Sequence, residues 1–265
     1  MDNQKLADAI NTLAAFCACR DLPALSKEAL KRKYGFEQAD VMVLFGGSII
    51  CGGDVLANAM QNGIAKKYIV VGGEGHTTQT LRNQMHACFP EVETENRMEA
   101  EIFSSYLSFR YGLTPDYLEC ASTNCGNNIT NLLCLLRREQ VPFQSIILCQ
   151  DATMQRRMDA TLRLYQTDAA IINFASYQVQ VVVKNGVLSY DHDIWGIWDI
   201  PRYLTLLMGE IPRLRDDAQG YGPNGAGYIS HVDIPQDVEE AFCWLEREAN
   251  APIRAANPAY ATKQP

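Results

Sequence analysis

Four short stretches combine glycine with polar and charged residues: FGGS at 45–48, VGGEGH at 71–76, ASTNCGNN at 121–128 and CQDATMQRR at 149–157. Glycine lets a ligand approach the backbone closely, and a helix that follows such a loop offers unpaired N–H groups to an anion. Gly46, Gly47 and Ser48, together with Gly72 and Gly73, are therefore read as the floor of a ligand site. Paired glycines also make tight strand-to-helix turns, but two pairs at one edge favour a ligand. Glu74, Glu99 and Asp151 suit ribose hydroxyls or an ammonium group, while Asn124, Asn127, Asn128 and Gln150 both donate and accept, as a base edge or a carboxylate requires. Asp151 and Thr153 also read as caps of the following helix, and Asn127 as a turn residue. Arg156 and Arg157 are the anion-binding candidates. Arg213 and Arg215 read as pairing with the adjacent Asp216 and Asp217, or else as arginines of a lid that meets the ligand.

Several chemistries lack their motifs. The chain has no G-x-S-x-G elbow, no G-x-x-x-x-G-K-[ST] phosphate loop, no H-E-x-x-H and no paired C-x-x-C. Neither glycine pair forms G-x-G-x-x-G, which disfavours a dinucleotide oxidoreductase, and the acid plus G-x-G-x-G of common methyltransferases is missing. His76 is the histidine nearest a ligand loop. Cys125, at a predicted helix start, and Cys149 lack an arginine at phosphatase-loop spacing and read as buried spectators. No metal site is expected, and no catalytic residue is assigned.

These loops need elements that bring them together. Apolar spacing predicts helices over 3–19 and from Pro23 to about 33, then a strand at 41–45. A helix at 54–64, a strand at 68–71, a helix at 78–88, a weak strand at 92–94 and a helix at 98–111 follow. A weak strand at 117–120, a helix at 129–139, a strand at 145–149 and a helix at 154–165 continue the alternation, with strands at 169–174 and 179–184 after it. Strand–helix alternation with apolar strands implies a Rossmann-like α/β fold: a parallel sheet with helices on both faces, over 36–190. Ligands bind such sheets beyond the carboxyl ends of the strands, which is where the four stretches fall. Beyond 190 the pattern fails. Helices are predicted over 195–208, interrupted near Pro201, and over 236–249, with a Gly- and Pro-rich loop at 209–234 between them. The chain ends, 1–35 and 191–265, are expected to form a smaller helical part beside the sheet.

Composition narrows the partners. With 23 Lys and Arg against 31 Asp and Glu, the formal charge is −8, which argues against nucleic acid. No apolar run approaches the roughly 18–20 residues of a membrane-spanning helix, and the first residues do not read as a signal peptide. The 9 irregularly spaced cysteines suggest a reducing compartment, the cytoplasm. The expected partner is a small molecule.

The loops taken in order resemble the SanA/ElyC-like family of α/β proteins: DVMVLFGG at 40–47, VGGEG at 71–75, EA at 99–100, STNCGNN at 122–128 and DATMQRR at 151–157. GEIPRLRDD at 209–217, GYGP at 220–223 and HVD at 231–233 are similar to its YdcF-like group, so the likeness spans about residues 40 to 240. Family members with a membrane anchor differ from this chain, which shows none. The resemblance implies a Rossmann-like domain with an added helical part that binds S-adenosyl-L-methionine; it supplies no reaction. Many members have a histidine where this chain has Thr153-Met154-Gln155, so chemistry resting on that histidine does not carry over. The expectation is S-adenosyl-L-methionine bound by Gly46, Gly47, Ser48, Gly72, Gly73, Glu74, Glu99, Asn124, Asn128, Gln150, Asp151 and Arg156, in a methyl- or other transferase or in a binder of unassigned reaction. The alternatives are an enzyme for a phosphorylated or nucleotide-like substrate held by Arg156 or Arg157, and a non-enzymatic metabolite-sensing module whose loop at 209–234 closes on the ligand.

Overall fold

The computed structural model describes residues 2–47, 49–166 and 168–254. Its centre is a parallel sheet of β1 (Ala39–Phe45), β2 (Ala65–Val71), β3 (Tyr117–Glu119), β4 (Ser145–Cys149) and β5 (Ala170–Asn173), in the order β3-β2-β1-β4-β5. Leu44 lies opposite Val70 on one side and Cys149 on the other, so the most hydrophobic strands occupy the middle. This is a Rossmann-like α/β fold.

Alternation along each strand feeds two cores. Met42, Leu44, Val70, Ile147 and Ile172 face α2 (Lys27–Tyr34), α3 (Cys51–Gln61), α4 (Thr78–Cys88) and α5 (Glu99–Tyr111). Val41, Val43, Phe45, Ile69, Ile146 and Leu148 face α6 (Cys125–Arg138) and α7 (Gln155–Tyr165). Glycines in the left-handed region end α2 at Gly35 and α5 at Gly112. A third core joins α1 (Asn3–Cys17), α8 (Ile200–Leu214) and α9 (Gln236–Arg247). It also takes in Val181 of a hairpin, β6 (Val181–Lys184) and β7 (Val187–Tyr190), and reaches α7 through Ala160. Helices α1, α8 and α9 thus share a core of their own, while α2 packs on the sheet face through Leu30. Among the described residues, no helix is long and apolar enough to cross a membrane.

The structure corrects several local expectations. Residues 92–94 form no strand: Val92 and Thr94 are buried between exposed glutamates without pairing to the sheet, and the edge of β2 is taken by β3. Pro201 does not interrupt a helix; it sits in the first turn of α8, where its missing N–H costs nothing, behind an Asp199 cap that accepts from Arg202 N. Nor does the irregular segment begin at Gly209. The helix continues through Pro212 to Leu214 because Leu206, Leu207, Met208, Ile211 and Leu214 are all buried, which outweighs the bond lost at the proline.

Candidate functional site at the carboxyl edge

The strand order reverses between β1 and β4, which lie side by side while their following helices, α3 and α7, cover opposite faces. Such a switch point leaves a crevice at the strands' carboxyl ends. Gly46 and Gly47 follow β1, and Gln150 and Asp151 follow β4, so the sheet brings these four predicted residues to one place.

Most of the glycine floor is covered by the protein itself. A Cβ on Gly46 or Gly72 would collide with the Glu99 side chain, and on Gly72 it would also lie 3.0 Å from the Gly46 Cα. A Cβ on Gly73 would strike the carbonyls of Cys120 and Ser122. These glycines serve close approach within the fold, and none of the three is among the residues at positive φ. Gly47 is different: its nearest neighbour would be the Gln150 Oε1 at 3.4 Å, an ordinary contact. Of the predicted glycine floor, only Gly47 among the described residues leaves room beside its backbone. Ser48 lies outside the described residues.

Glu99, the first residue of α5, is buried across Gly46 and Gly72. Its Oε1 accepts from the Thr78 hydroxyl at 2.8 Å and the Thr77 hydroxyl at 3.3 Å. Burial pushes its carboxyl up from 4.5 to about 7 against the pull of these hydroxyls. A carboxyl so placed exchanges its proton near neutral pH.

On the other side of the switch, Gln150 is buried and its Oε1 accepts from Asp151 N at 2.7 Å, but its Nε2 has no hydrogen-bond partner among the described residues. A buried amide left this way costs stability unless something pairs with it. Asp151 has the opposite character. Its Oδ1 accepts from Thr153 N at 2.8 Å, the Thr153 hydroxyl at 2.6 Å and the Tyr177 hydroxyl at 3.3 Å, and its Oδ2 from Trp198 Nε1 at 3.2 Å. Burial raises its pKa while these donors oppose the rise. Asp151 thus ties the end of β4 to the segment that leads into α8.

The remaining predicted residues scatter. Glu74 is exposed and pairs with Arg82 at 3.0 Å. Asn124 caps α6 by accepting from Asn127 N at 3.0 Å, and Asn128 lies in that helix's first turn. Arg156 turns away from the crevice: its Nε donates to the Phe16 carbonyl and its guanidinium lies 4.2 Å from the Phe16 ring centroid, which fastens α7 to α1. Arg213 and Arg215 do not pair with the neighbouring aspartates. Arg215 grips Glu239 at 2.5 and 3.0 Å, Arg213 is buried on backbone carbonyls, and Asp216 bonds His231 at 2.6 Å.

The sequence reading missed Glu210. It is buried in α8 and takes a two-pronged bond from Arg157, Nε to Oε2 at 2.5 Å and Nη2 to Oε1 at 2.9 Å. A signal was present: Glu210 sits four residues after Leu206 and four before Leu214, a charge in an apolar stripe that requires a buried partner. Burial opposes the charge on Arg157, but Cys125 and Glu210 overcome it and hold the guanidinium above its usual range. The Cys125 thiol, at the start of α6, is pushed up by burial although Arg157, Arg254 and Arg213 pull it down. His76 is held below its ordinary value by burial and then by Arg254, Arg213, Arg202 and Arg157. The charges of Arg157, Arg213 and Arg254, from α7, α8 and the segment after α9, thus bear on both His76 and Cys125. No family model matches the chain.

Proposed function

We propose that the chain binds a small molecule in the crevice between the carboxyl ends of β1 and β4, and that the molecule is S-adenosyl-L-methionine. The observation that carries the binding reading is the Gln150 amide, buried without a partner among the described residues, beside the open face of Gly47 at the point where the strand order reverses. The likeness to the SanA/ElyC-like family and its YdcF-like group supplies the identity of the ligand. In this reading the Gln150 Nε2 donates to an acceptor on the ligand, Gly47 lets the ligand lie against the backbone, and Asp151 acts indirectly by holding the loop. Transfer from the sulfonium requires an acceptor aligned with it, and no residue is assigned to that step. The nine cysteines, all free in the structure, suit a reducing compartment and hence a cytoplasmic location.

Isothermal titration of the full chain with S-adenosyl-L-methionine, S-adenosylhomocysteine, ATP and pyrophosphate tests the reading. Saturable binding of the adenosylmethionine pair, weakened about tenfold in Gln150→Ala, supports it; a tenfold loss is about 1.4 kcal/mol, the size expected for one hydrogen bond. Absence of binding in folded protein, or equal affinity in Gln150→Ala, removes the ligand or the residue.

A further inference from the structure

Around the Arg157–Glu210 pair the structure gathers more positive charge than it neutralises. Arg213, one turn along α8 from Glu210, donates through Nη1 to the Gly209 carbonyl and through Nη2 to the Arg254 carbonyl, the latter at 2.9 Å. Arg254 packs on the same spot: a Cβ on Gly209 would lie 2.8 Å from both the Arg213 Nη1 and the Arg254 Cβ. Three arginines thus gather near one carboxylate, which only Arg157 contacts, an excess of two positive charges. Arg157 is engaged with Glu210 and Arg213 with carbonyls, whereas the Arg254 guanidinium makes no hydrogen bond or ion pair among the described residues.

We propose that Arg157, Arg213 and Arg254 form a subsite for the phosphate group of a second ligand, beside the crevice between β1 and β4. A phosphomonoester carries a charge of about −1.5 to −2 at pH 7, close to the local excess, and its oxygens match the planar donor fork of arginine. Burial, Arg157 and Arg213 all work against the charge on Arg254, and Glu210, with a smaller contribution from Cys125, offsets only part of this. An anion would relieve that repulsion. The same arginines act on His76 and Cys125, so a phosphate held there would offset a field that reaches the loops after β2 and β3. This subsite does not depend on the identity of the ligand in the crevice, and it replaces Arg156 by Arg254 as the residue on which anion binding turns.

Titration of the full chain with inorganic phosphate and with pyrophosphate at constant ionic strength, alongside thermal unfolding, tests the subsite. Saturable phosphate binding is expected, with affinity falling at least about tenfold in Arg254→Ala and partly kept in Arg254→Lys. Unliganded Arg254→Ala is expected to unfold no lower than the parent, since the guanidinium has no hydrogen-bond partner to lose among the described residues and sits against two other arginines. Chloride matching the phosphate effect, or Arg254→Ala binding phosphate as tightly as the parent, overturns the subsite. Direct displacement of phosphate by S-adenosyl-L-methionine also overturns it, because the arginines would then hold an amino-acid carboxylate. Phosphate binding without any adenosylmethionine binding sustains the subsite and removes the crevice reading, so the two fail separately.

Discussion

The two sides of the carboxyl edge bury their acids differently. On the β1/β2 side, Glu99 lies across two glycines with hydroxyls for company and no ion pair among the described residues, and its proton is held up to about 7. On the β4/α7 side, Asp151 receives four donors and Glu210 a two-pronged arginine. The first arrangement makes an acid whose charge changes near neutral pH. The second uses its acids as joints, tying the sheet to α8 through the Trp198 indole and the Arg157 guanidinium. One edge thus combines a responsive half with a rigid half, and the difference lies in the donors supplied rather than in the depth of burial.

The contrast breaks most visibly if the fixed half loses one partner. Glu210→Leu leaves the Arg157 guanidinium buried and unpaired, an expected loss of about 3–5 kcal/mol in denaturant unfolding, whereas adding Arg157→Met to it should recover most of that loss. A single variant that unfolds like the parent would show that the pair is not buried in solution. The responsive half is tested by Glu99→Gln. Because the folded-state pKa is raised, the acid's contribution is intact below 4.5, is lost as pH rises, and is fully lost above about 7. The variant should match the parent near pH 4 and exceed it by up to about 3 kcal/mol near pH 8. A parallel shift at both pH values would refute the raised pKa. Asp151→Ala orphans the Trp198 indole and the Tyr177 hydroxyl, with an expected cost of about 2 kcal/mol, and Asp151→Asn should cost less. Trp198 fluorescence unchanged by Asp151→Ala would argue against the contact.

The smallest effect concerns the exposed loop. His231 bonds Asp216 at 2.6 Å and Asp233 at 3.0 Å, and these bonds raise its pKa above 6.5. The clasp is complete below 6.5 and loosens as pH rises through the higher folded value. Amide exchange at 216–231 should accelerate over that rise in the parent and show no such step in His231→Gln.

The fold was legible where the signal is local. The helix at 78–88 and the strand at 145–149 have the bounds that their patterns indicate, because burial period and terminating residues lie within the segment itself. The hairpin β6–β7 also had a sign, Asn185-Gly186, whose φ values of 53° and 78° are those of a tight turn. The edge of the sheet was legible as a place, since glycine-ended strands mark it. What each residue does there was not. Gly46 and Gly72 read alike as ligand floor, yet Glu99, far along the chain, covers both. Arg156 and Arg157 are adjacent and identical in type, but one faces Phe16 of α1 and the other Glu210 of α8, which only the packing of distant helices decides. Asp151 read as a ligand group or a cap, while its partners Tyr177 and Trp198 come from segments with no periodicity to place them.

The packing of α1 on α8 and α9 has a consequence for the chain as it is made. The buried face of α1, with Ile10 and Leu13, finds its partners in helices that begin at Ile200 and Gln236. At about 5–20 residues per second, synthesis leaves that face without its cover for roughly ten to forty seconds while the sheet forms. Helix α1, made well before α8 and α9, is therefore covered only late, and the growing chain carries an apolar surface that a chaperone can hold until α9 arrives.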